Sequence, residues 1–305
     1  MKALRILAGI AAVLLAVGYG GWSWLTARED VPETSDYALD LAALRELAAS
    51  IPGPLPLRVN HQIVAHAILP RGAVFAGEPL EPHRMTHGVY QVVYPEGSVL
   101  IDVAFGRGMF EAEMAEGGDY DDSAFSAVQL AMSRARAIVL THEHADHIEG
   151  LSHATDLVQL AGRLVMNRAQ HANESTRELL PAELLDAVSP VAYERAHVVA
   201  PGVVLIAAAG HTPGSQIIYV HVERGTEYLF VGDVAWHMDA LRDLHYRPRL
   251  VTDYFLGEDR AAVLAQFRTL HELLDQPGLQ IVVSHDGAQR AKLVENGLLG
   301  DGLEP

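Results

Sequence analysis

Ala137-Ile-Val-Leu-Thr-His-Glu-His-Ala-Asp-His-Ile-Glu-Gly150 carries more chemistry than any other part of the chain. Ile138 to Leu140 read as a buried strand, and the turn that follows crowds His142, His144, Asp146 and His147 together. Crowding of this kind is costly for packing alone, because each imidazole or carboxylate removed from water needs a partner. A divalent cation satisfies several of them at once. His142 and His144, two residues apart on an extended loop, can project to one side, and Asp146 and His147 can turn toward an adjacent position from the start of a helix. The pattern therefore predicts two metal ions. Imidazole with carboxylate suits zinc first, and iron, manganese or cobalt accept the same ligands.

Outward from this segment, strand-like runs cover 57–66, 88–94, 98–104, 137–141, 163–167, 203–207, 216–222, 228–231 and 280–284. Helical spacing of apolar residues covers 40–50, 123–135, 177–187 and 260–274. Strands interleaved with helices predict a layered α/β domain. The acidic run Asp119 to Asp122 reads as a cap for the helix that follows.

The chain has 305 residues, half of them hydrophobic, no cysteine, and a formal charge of −17. The missing cysteines exclude thiol nucleophiles, disulfides and Cys-type zinc sites, so any metal must sit on His, Asp or Glu. The negative charge argues against nucleic acid as a partner and leaves a small molecule as the expected substrate. Lys2 and Arg5 precede a nearly uncharged run, Ile6 to Leu25, which contains Trp22 and Trp24. Residues 1–26 read as a transmembrane anchor, with a cleaved signal segment as the other reading. Both place the domain on the outer, periplasmic or extracellular, side of a membrane or release it there. Residues 27–37 read as a linker, and 38–305 as the catalytic domain.

The His-x-His-x-Asp-His pattern at 142–147 resembles the signature of the metallo-β-lactamase superfamily, and the resemblance continues in order along the chain. Asp102 in Val99-Leu-Ile-Asp-Val103, His211 in Gly210-His-Thr-Pro-Gly-Ser215, Asp233 in Leu229-Phe-Val-Gly-Asp233 and His285 in Val282-Val-Ser-His-Asp-Gly287 match its later motifs. The resemblance implies a four-layer αβ/βα sandwich and a dinuclear centre. One metal would be held by His142, His144 and His211, the other by Asp146, His147 and His285, with Asp233 shared and Asp102 orienting the metal loop. Glu143 should point away. The implied chemistry is hydrolysis by a metal-bridging hydroxide, with Asp146 the candidate for moving a proton to the leaving group. His144 in place of Glu departs from the diiron flavoprotein branch, and Asp233 departs from true β-lactamases. The remaining pattern resembles N-acyl-homoserine-lactonase-like and glyoxalase-II-like enzymes. Lactonases place a tyrosine where this chain has Trp236. Trp236 and Arg247 are the expected substrate-pocket residues. A small ester or lactone is the expected substrate, with a thioester, a phosphodiester or metal binding without turnover as the competing readings.

Overall fold

The computed structural model describes residues 17–304. Most of the apolar N-terminal run, residues 1–16, lies outside the described residues. Residues 17–26 form a helix on which Tyr19, Trp22 and Trp24 are exposed. Among the described residues no helix is long and apolar enough to cross a membrane.

Two sheets form the body. In the first, β12 (Gly300–Asp301), β1 (Arg58–Pro70), β2 (Pro82–Val93), β3 (Ser98–Ile101), β5 (Ala137–Val139) and β6 (Leu164–Val165) lie in that order, with β4 (Asp119–Tyr120) also against β1. In the second the order is β11 (Leu279–Val282), β10 (Glu227–Phe230), β9 (Gln216–His221), β8 (Val203–Ala207), β7 (Ala196–Ala200). Alternation along the strands sorts side chains to opposite faces. Val99 and Ile101 of β3 meet Val203 and Leu205 of β8 in a core between the sheets. Leu100, between them, faces the other way into a core with Ala124, Val128 and Met132 of helix Asp122–Arg134. Val204 and Ile206 of β8 likewise face outward, onto Leu44 of helix Leu41–Ala48 and onto Val263, Phe267 and Leu270 of helix Arg260–Glu272. Three cores between four layers make an αβ/βα sandwich. Full burial of each large side chain in them contributes about 1.5–3 kcal/mol.

Two expectations change. The helix expected over 177–187 is two, Glu174–Leu179 and Ala182–Ala187. Pro181 has no N–H to donate and forces Leu180 out of helical geometry, to φ −109° and ψ 144°. Residues 27–37, expected as a linker, pack on the domain instead. Val31 is in the core, Tyr37 Oη donates to the Ala207 carbonyl at 2.9 Å, and Glu29 is paired with both Arg249 and Arg260.

The segments that carry the sequence motifs follow β3, β5, β8, β10 and β11 at their C-terminal ends. Their loops gather at one edge of the sandwich, the usual place for a site in a layered α/β protein.

Candidate metal centre

After β5, Thr141 and His142 stay buried, and His144 caps the start of the short helix Ala145–Ile148. Opposite them Asp102 ends β3 with φ 62°, a left-handed conformation that costs a non-glycine residue about 1–3 kcal/mol. Its carboxylate offsets that strain. Oδ1 accepts the Thr141 backbone N–H at 2.7 Å, and Oδ2 accepts both Thr141 Oγ1 and His147 Nδ1 at 2.8 Å. Asp233 arrives on the turn after β10, where Gly232 has φ 51° and its Cα passes so near Thr141 that an added Cβ would lie 2.9 Å from the threonine Cβ. Glycine is the residue that allows this approach.

Two clusters form about Asp233, and His87 groups with Asp146 and His285 beside the second. In the first, His144 Nδ1 lies 3.1 Å from His142 Nε2 and 3.0 Å from His211 Nε2, while Asp233 Oδ2 lies 3.7 and 3.4 Å from those same two Nε2 atoms. In the second, His147 Nε2 is 3.3 Å from Asp146 Oδ2 and 3.5 Å from Asp233 Oδ1, and His285 Nε2 is 3.7 and 3.1 Å from the same two oxygens. Asp233 thus turns one carboxylate oxygen to each cluster. Tetrahedral ligands about 2.0–2.2 Å from one cation stand roughly 3.4 Å apart. Both clusters have that spacing.

The donor chemistry also fits cations. His147 Nε2 and Asp233 Oδ1 are buried with no hydrogen-bond partner. The outer ring nitrogens are taken: His147 Nδ1 donates to Asp102, His211 Nδ1 to Glu258 Oε1 at 2.7 Å, and His285 Nδ1 to the Thr86 carbonyl at 3.2 Å. Such partners fix the tautomer and leave the lone pair on the inner nitrogen. Burial pushes His142 well below the usual imidazole range and His144 down to about 4, so both are neutral and able to ligate near pH 7. Burial opposes charge on Asp146 and Asp233 as well. Nevertheless His147 holds Asp146, and His285 holds Asp233, well below the ordinary carboxylate range. Despite burial the carboxylates in turn raise His147 and His211 above the usual imidazole range, so those two give up a proton in order to ligate.

Behind the first cluster lies a buried charged network. Glu258 takes His211 on Oε1 together with Arg247 Nη2 at 2.6 Å, and takes Tyr246 Oη on Oε2 at 2.9 Å. Burial opposes ionisation of Glu258, but Arg247 and His211 hold it down at about 2. Arg247 also donates to the Asp233 carbonyl at 2.8 Å and lies over the Trp236 ring. The expectation that Arg247 would meet substrate is corrected here. It is 2% exposed, and its charge is spent on Glu258. Glu143 points away from the clusters and accepts from Thr212 Oγ1, Gly214 N and Asn173 Nδ2, which ties the loop carrying His211 in place. Trp236 borders the open side of the centre, and its indole N–H donates to Asp233 Oδ2 at 2.7 Å.

A cleft of about 540 Å³ opens onto His144, Asp146, Asp233 and His285. Its walls are largely apolar, with Leu69, Met85, Met114, Leu179, Trp236 and Phe255. Glu113 and Glu178 are charged groups at its side, and no Lys or Arg lines it among the described residues. Sequence reasoning missed Glu258 and His87, which lie outside every motif. The only hint of His87 was a glycine directly after it in a strand-like run.

The family model described as the metallo-beta-lactamase superfamily matches residues 89–255. The chain is 26% identical over 149 residues to the N-acyl homoserine lactonase AiiA of Bacillus thuringiensis subsp. kurstaki, a match covering 49% of this chain and 55% of that protein. It is 25% identical over the same share to an N-acyl homoserine lactonase of Bacillus sp. The chain thus spans about half the length of the curated relatives it matches. Among solved structures, a quorum-quenching N-acyl homoserine lactone lactonase superposes with TM-score 0.59 at 17% identity, covering 78% of this chain and 95% of that one. AidC, a dizinc quorum-quenching lactonase solved with a product, gives 0.53 at 14% identity, with 76% and 90% covered. At these identities the superpositions speak for the fold.

Proposed function

Because the chain belongs to the metallo-beta-lactamase superfamily, we propose that it is a two-cation hydrolase that opens lactones or other small, uncharged esters. The observation that carries the substrate class is the cleft, which is apolar on most sides, acidic where charged, and free of cationic side chains among the described residues. An anionic phosphodiester would enter it against like charge and find no arginine to hold it. A neutral acyl compound meets no such penalty. The relatives' activity on homoserine lactones supports the same class.

Two divalent cations, zinc by ligand type, would acidify a shared water toward neutral pH and polarise the carbonyl oxygen of a substrate. His142, His144 and His211 would hold one, His147, Asp146 and His285 the other, with Asp233 serving both. Trp236 spends its N–H on Asp233, so it closes the cleft with an apolar face and leaves the substrate carbonyl to the cations. Asp146 borders both the second cluster and the cleft, which suits it to pass a proton to the leaving alkoxide. The apolar N-terminal run supports anchoring, or export after cleavage, with the domain outside the membrane.

The test takes the full chain, metal content measured, through acyl-homoserine lactones, simple esters, thioesters and bis-nitrophenyl phosphate. Chelator-sensitive cleavage of lactones or esters is expected. Cleavage of the phosphodiester alone, or no turnover with two ions bound, would sink the proposal. Asp146→Asn that keeps both ions and full turnover would remove the proton role.

A further inference from the structure

His87 belongs to none of the motifs, yet the fold takes trouble to place it. It sits on β2, where the pairing with β1 slips: Gly88 lies opposite Ile63 and His87 opposite Ala65, so Val64 is an extra residue. A bulge of this sort bends the strand that carries it, here β1, and is common beside active sites. The strands are so close there that a Cβ on residue 88 would stand 2.4 Å from the Gln62 carbonyl oxygen, which only glycine avoids. The His87 ring is 6% exposed, packs edge-on against Phe105, and lies 4.6 Å, centroid to centroid, from the His285 ring. Its Nδ1 is 3.1 Å from Asp146 Oδ2, and its Nε2 is buried without a partner. The preceding residue serves the same cluster, since the Thr86 carbonyl accepts from His285 Nδ1.

We infer that His87 is a positioning residue of the second cation position, where its Nδ1–H holds the Asp146 carboxylate in the orientation that ligates. The tautomer follows from the partners. A carboxylate only accepts, so Nδ1 carries the proton and Nε2 a bare lone pair. A buried unpaired acceptor is easier to tolerate than a buried unpaired N–H. Asp146 Oδ2 lies 3.3 Å from His147 Nε2, 3.7 Å from His285 Nε2 and 3.1 Å from His87 Nδ1, so removing the last takes away a hydrogen-bond donor that does not depend on the cation to hold the carboxylate in place. The first cluster has no contact with His87 of this kind and should not feel the change. The inference rests on the two-cation reading above.

The experiment is zinc titration of the metal-depleted full chain by calorimetry, with ions per chain counted by mass spectrometry. His87→Ala and His87→Phe, the latter filling the ring's space without a donor, are expected to bind the first ion as wild type does. The second should bind about 10–100-fold more weakly. His87→Asn, which puts an N–H donor at the same bonded position, should recover most of that loss. First-ion affinity equal to wild type reports an intact fold in each variant. Unchanged second-ion affinity in the Ala and Phe variants overturns the inference, as does His87→Asn binding as weakly as they do. Wild type that takes up two ions and hydrolyses nothing breaks the functional reading and leaves this one standing, whereas wild type that takes up only one ion breaks both.

Discussion

The two clusters each gather four groups, three histidines with Asp233 in the first and two histidines with Asp146 and Asp233 in the second, and they differ most in what stands behind them. His211 of the first rests on Glu258, whose charge is shared with Arg247 and Tyr246 in a network with almost no access to water. His285 of the second rests on a backbone carbonyl, and Asp146 on a neutral imidazole. A buried charged network holds its members tightly and is costly to break, because every survivor is left unpaired in a low-dielectric place. A carbonyl or imidazole partner can be lost with less damage. The support behind His211 is therefore the harder to break and that behind His285 and Asp146 the easier, while His147 of the second cluster keeps a buried carboxylate, Asp102. Both clusters face the cleft, through His144 in the first and Asp146 and His285 in the second.

The largest blow to this contrast is Asp233→Ala. It removes the carboxylate that both clusters use, so the difference between them should vanish. Metal counting is expected to find neither ion at full occupancy, and hydrolysis should fall by at least about 10³-fold. Retention of one tightly held ion would show that the first cluster stands without the bridge. Glu258→Gln strikes the support behind His211 alone. It leaves Arg247 buried without its ion pair, a loss of about 3–5 kcal/mol of folding stability, and weakens the first ion about 10–100-fold with the second unchanged. Denaturant unfolding and zinc titration check the two parts, and equal weakening of both ions would erase the asymmetry.

The smallest effect lies outside both clusters and sharpens the comparison by serving as its control. His83 packs among Phe75 and His237, where burial, with His237 and Arg71 nearby, lowers it from 6.5 to about 4. The folded state then binds fewer protons than the unfolded one, so this contribution is whole above pH 6.5 and is lost as the pH falls toward 4. His83→Phe should lose less melting temperature than wild type between pH 7 and pH 4.5, by on the order of 2 °C. An identical loss in both proteins would show that His83 charges without cost.

Much of this centre can be read without coordinates because its inner residues sit in the turns that follow apolar strands, where position in the chain and position in space nearly coincide. His142, His144, Asp146 and His147 share one turn, and His211, Asp233 and His285 each end a strand-like run. Their supporting partners have no such coupling. Glu258 reaches His211 from 47 positions away, and His87 reaches Asp146 from 59. Arg247 reads from sequence as a substrate-pocket residue because nothing near it announces Glu258 as its counter-charge. Strand β7 escaped notice for a different reason: four of its five residues are half-exposed at a sheet edge, so the apolar alternation that marks a strand is absent. The first half of β2, from Pro82, was hidden by its polar and histidine-rich composition.

The contact of Glu29 with Arg249 and Arg260 reaches beyond the local packing it secures. Arg249 immediately precedes Leu250–Leu256, the segment that brings Phe255 and Leu256 to the cleft, and it also lies over Trp24. Residues 24–29 are thereby bolted to the lip of the cleft, so a load on this stretch is felt first at the opening.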